Sequence, residues 1–82
     1  MLANEARRIA SKVIWERLPN IIRYAIEDAV EEGKLDCELR FPGETADFKN
    51  CVKYFNDLNK LGYKTDMCED WKNGKYVIRI TW

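Results

Sequence analysis

The sequence predicts an α+β fold in the order α-β-α-β-β, two helices packed on one face of a three-stranded, mostly antiparallel sheet. Three observations carry this: apolar residues at three- and four-residue steps over residues 4–32, strict alternation in "LDCELRF" (35–41), and a second alternating run in "KYVIRITW" (75–82).

The first stripe is Ile9, Ala10, Val13, Ile14, Leu18, Ile21, Ile22, Ala25, Ile26, Ala29 and Val30, one face of a helix that Gly33 ends as a left-handed residue. Pro19 interrupts it. Its ring collides with the carbonyl of Trp15 and it has no N–H to donate, so the helix kinks or breaks near Leu18. In the first strand Leu35, Cys37, Leu39 and Phe41 face one way and Asp36, Glu38 and Arg40 the other. "PGET" makes a turn, and Thr45 caps a second helix running to Leu61 with Phe48, Cys51, Val52, Phe55, Leu58 and Leu61 on its apolar face and Gly62 as its stop.

"YKTDMCED" and "KYVIRITW" form a hairpin around Asn73-Gly74, a dipeptide whose residues both tolerate positive φ. A two-residue turn there sets Met67 opposite Ile80 and Thr65 opposite Trp82. The last strand is the most β-prone segment and takes the middle of the sheet, with the first strand beside it.

With 82 residues the chain has room for one domain, 1–82, that buries only about 60–65% of the surface its unfolded chain exposes. A net charge of zero offers no excess of Lys and Arg for nucleic acid, and no apolar run is long enough for a leader or a membrane span, so a cytoplasmic protein is expected. Cys37, Cys51 and Cys68 are an odd number without C-x-x-C spacing and read as free, buried thiols. Histidine is absent, the one serine (Ser11) lies inside a helix, and the glycines are scattered. An enzyme is therefore not expected, and no catalytic, cofactor-binding or metal-binding residues are assigned. The carboxylates of Glu27, Asp28, Glu31, Glu32 and Asp36 read as a solvated face, not a cation site.

The charges of the first helix run against its macrodipole, with Arg7, Arg8 and Lys12 at the head and Glu27, Asp28, Glu31 and Glu32 at the tail. Laid antiparallel about Pro19-Asn20, the two halves bring Glu5 to Lys34, Arg7 to Glu32, Arg8 to Glu31, Lys12 to Glu27 and Glu16 to Arg23. Two structures satisfy that register: a homodimer of kinked helices about a twofold axis, or an αα-hairpin within one chain. The dimer is favoured because Leu18 is a poor N-cap and "LPN" offers too few turn residues. Charge runs also mark ordinary solvated helix faces, and a cationic partner would serve as well as a second copy. Trp15, Tyr24 and Trp71 add aromatic contact area, although Trp71 packed across from Tyr76 is the plainer expectation. The residues singled out for partner binding or self-association are Arg7, Arg8, Lys12, Trp15, Arg23, Tyr24, Glu27, Glu31, Glu32 and Trp71.

"AIEDAVEEGK", "LNKLGYKT" and the closing "YVIRITW" together resemble a pattern found in small, mostly uncharacterised accessory proteins of tailed bacteriophages. The likeness spans nearly the whole chain, and Pro19 departs from the uninterrupted first helix of that pattern. It implies a viral protein acting by binding in the host cytoplasm: an inhibitor of a host or defence protein, a sponge for a small signalling nucleotide, or a minor virion or assembly component.

Overall fold

The computed structural model describes residues 2–70, 72 and 74–82. Its elements are α1 (Ala3–Arg17), α2 (Asn20–Glu31), β1 (Asp36–Phe41), α3 (Ala46–Val52), α4 (Phe55–Lys60), β2 (Lys64–Asp70) and β3 (Lys75–Thr81). The class is α+β as expected, but α3 and α4 act as one joined helix and the order is α-α-β-α-β-β. The expected single first helix is two. Leu18 and Pro19 have ψ of 144° and 146°: Leu18 because a residue before proline is driven out of the helical region, Pro19 as the non-helical N-cap residue of α2. Pro19 then opens α2, its carbonyl accepting the N–H groups of Ile22 and Arg23 at 3.1 Å each.

The sheet is antiparallel in the order β1-β3-β2. On its inner face Leu39, Phe41, Ile78 and Ile80 meet Ile22 and Ile26 of α2 and Phe48, Cys51 and Leu58 of the α3–α4 pair in one buried cluster, with Leu18 at its margin. Thr45 caps α3 as expected, its Oγ1 accepting from the Phe48 N–H at 3.2 Å. Tyr54 interrupts the second helix, yet the positions on either side keep one apolar face. Trp82 is half-buried against Tyr63, ring centroids 5.9 Å apart.

Three local expectations are corrected. The β2–β3 register is offset by two residues, with Thr65 opposite Ile80 and Met67 opposite Ile78; Asp70 pairs with Lys75, so residues 71–74, not two residues, separate the strands. A slip of two preserves which side chains share a face, so alternation cannot detect it. Leu35 precedes the strand and is exposed. Cys68 is exposed, opposite Val77 on the sheet's outer face.

The molecule measures 52 × 27 × 18 Å with a radius of gyration of 14.0 Å, against about 12 Å for a compact chain of this length. Among the described residues no helix is long and apolar enough to cross a membrane.

Candidate functional site

The elongation is explained by α1. None of its fifteen residues is buried. At 3.6 residues per turn its apolar positions fall on two opposite sides. Ile14 and Trp15 in the last turn are half-buried, and Trp15, packed against the core, forms with Leu18 the side that meets the body. On the other side Leu2 at the N-cap (71% exposed), Ala6, Ile9 (52%) and Val13 (40%) make a solvent-facing row with a 4-3-4 spacing.

This arrangement separates the two halves of the sequence stripe. In α2 the residues Ile22, Ile26 and Ala29 are consumed by the core. They are unavailable to a partner, so in the register across Pro19 the pairing of Val13 with Ile26 is blocked, while Ile9 and Val30, 52% and 55% exposed, stay open. Within the chain the hairpin alternative is absent as well. Glu5, Arg7, Arg8, Lys12, Glu16, Glu27 and Glu31 make no ion pair among the described residues, and Glu32 turns instead to Lys34 at 2.7 Å. That contact holds the Lys34 ammonium pKa above its usual range, first through the hydrogen bond and then through the charge of Glu32.

The other singled-out residues are scattered. Tyr24 is exposed on α2, while Arg23 is half-buried, its guanidinium donating to Asn20 Oδ1 and its buried Nε without a partner among the described residues. Trp71 lies outside the described residues.

Two further features flank the body. Ala25, Asp28, Ala29, Glu32, Lys34, Asp36, Cys37 and Glu38 line a groove of about 460 Å³ between α2 and β1, in which carboxylates outnumber the single lysine. On the outer sheet face the register sets Arg79 between Glu38 and Asp66, and its guanidinium donates to Glu38 at 2.6 Å. The hydrogen bond from Arg79 lowers the Glu38 carboxyl pKa, and the same contact raises that of Arg79. Among the described residues no group of three or more His, Cys, Asp or Glu is arranged to hold a metal ion.

Comparison with protein-family models, with curated proteins and with solved structures returned no match. The chemistry of the surface therefore has to be taken from its own residues. The sequence places Arg7, Arg8 and Lys12 on the first helix and Ile9 and Val13 on its apolar stripe, set against Val30 and Ile26 across Pro19, and leaves Leu2 and Ala6 out of that stripe. The 4-3-4 spacing of Leu2, Ala6, Ile9 and Val13 was the available signal, since it is the a/d repeat of a helix-on-helix seam.

The thiols divide by environment. Burial pushes both Cys37 and Cys51 up to about 11, with Asp36 and Asp47 adding to the effect, whereas Cys68 is exposed. Titration of the folded protein with a thiol reagent at pH 8 is expected to label Cys68 rapidly, Cys37 slowly and Cys51 only on unfolding. Because the folded values exceed the unfolded 9.0, this contribution to stability is intact below pH 9 and is lost as pH rises from 9.0 to about 11. Denaturation midpoints measured across that window should fall, and a midpoint that stays level would remove the assignment.

Proposed function

We propose that the protein is a non-enzymatic accessory protein of the phage type that acts as a homodimer by binding and inhibiting a host or defence protein. The observation that carries this reading is α1: a helix of fifteen residues with none buried and an apolar row turned to solvent. A helix of about 15 residues is marginal in water when nothing packs on it. A projecting helix of this kind gains most from a surface that covers its row.

Charge sorts the alternatives. The groove between α2 and β1 is lined by Asp28, Glu32, Asp36 and Glu38 against Lys34 alone. That is the wrong sign for a phosphate-bearing ligand, which disfavours the nucleotide sponge. Arg7 and Arg8, exposed on α1 and free of ion pairs among the described residues, suit an acidic protein surface instead.

The test is affinity capture with the full chain expressed in a bacterial host, followed by assay of whatever is retained. A protein held at near-equimolar ratio, lowered in activity by the pure chain and released by Arg7→Glu with Arg8→Glu, is the expected result. A co-purifying nucleotide with no retained protein would replace the inhibitor by the sponge.

A further inference from the structure

We propose that the second copy docks on α1 itself: two α1 helices pair antiparallel about a twofold axis between Arg7 and Arg8, through the seam Leu2, Ala6, Ile9 and Val13. The inference rests on the homodimer in the reading above and names its contact surface. A seam with a/d spacing, in an antiparallel pair, stacks each a position on a d position of the other helix. One register satisfies every position at once. Leu2 meets Val13 of the second copy, Ala6 meets Ile9, and the twofold axis repeats both contacts.

The charges follow from that register without further choice. Glu5 and Lys12 are the residues flanking the seam on one side, a heptad apart, and the twofold places Glu5 beside Lys12 of the second copy and Lys12 beside its Glu5. Neither has an ion pair within the chain among the described residues. The opposite flank carries Ala3 and Ala10, small enough for the helices to approach closely. Arg7 and Arg8 sit nearest the axis, but both point away from the seam, so their like charges do not face one another. Glu16, the next position of the repeat, closes the seam with a carboxylate.

The body does not compete for this row. Trp15 and Leu18 attach α1 from the reverse side, which leaves the seam outward. A seam of four residues per copy is small beside the roughly 1,200 Å² or more of stable interfaces, so weak, concentration-dependent association is expected.

Sedimentation of the full chain from about 1 µM to about 1 mM tests this. The expected result is a concentration-dependent dimer that Ile9→Asp abolishes while the far-ultraviolet dichroism of the body is kept. Glu5→Lys and Lys12→Glu should each weaken dimerisation about three- to tenfold, and the double variant should return to within about twofold of the parent, since the reciprocal pair is rebuilt with its signs exchanged. A monomer throughout the range would overturn both the seam and the homodimer. A dimer that ignores Ile9→Asp would overturn the seam alone. A double variant weaker than either single one would also overturn it, because pairing of α1 with α2 sets Glu5 against Lys34 and Lys12 against Glu27, and there two reversals only compound.

Discussion

Replacing Ile78 by alanine is expected to cost about 3 kcal/mol of folding stability, the typical loss for a fully buried aliphatic residue cut back to a methyl group. Ile78 has no exposed surface and sits in the middle of the central strand, with Leu39 on one neighbour and Met67 on the other. From above it is roofed by the cluster that contains Ile22, Ile26 and Leu58. Held on all sides, the site has little freedom to collapse into the vacated space. A chain of 82 residues has a total stability of roughly 4–12 kcal/mol. The loss is therefore a large part of the whole and should lower the melting temperature by about 12–24 °C. Met67→Ala is the matched control. It shares the inner face with Ile78, but it lies on an edge strand and is 53% exposed, so a cost below about 1 kcal/mol is expected. Denaturant titration of both variants decides the matter, and equal midpoints would mean that the core is not centred on β3.

How much of this was legible in the sequence follows from what periodicity encodes. Alternation in Tyr76, Ile78, Ile80 and Trp82 named the inner face of β3 correctly, because a strand has only two faces and one of them is buried. The stops at Gly33 and Gly62 were equally readable, and both glycines have positive φ, 75° and 96°. Helical periodicity is weaker evidence, since it identifies an apolar face without saying what covers it. Ile22 and Ile26 are covered by the sheet, whereas Ile9 and Val13, joined to them by the same three- and four-residue steps, remain 52% and 40% exposed. The extended pair Leu18-Pro19 changes the direction of the chain between them, and no count of positions can carry a face across such a break. The charge register failed within the chain for the same reason. It presumed that the residues flanking Pro19 were either continuous or folded back, and they are neither.

Leu18→Ala should come next in effect, at about 2–4 kcal/mol, although Leu18 belongs to no helix or strand. The residue is almost wholly buried at the margin of the core, and it is the last point at which α1 is tied to the body. Its position depends on Pro19. Were residue 19 able to follow the helix, Leu18 would be free to continue α1; the proline forces it extended, and the side chain is delivered into the core instead. The chain thereby uses a helix breaker to make an anchor, which leaves the outward row of α1 free for contact. Val13→Ala separates the two roles, because Val13 is 40% exposed on the outward side. It should leave the melting temperature of the dilute monomer within about 4 °C of the parent, while weakening self-association. Should Leu18→Ala melt like the parent, or Val13→Ala prove as costly as Leu18→Ala, the division of α1 into an anchored and a free side would be wrong.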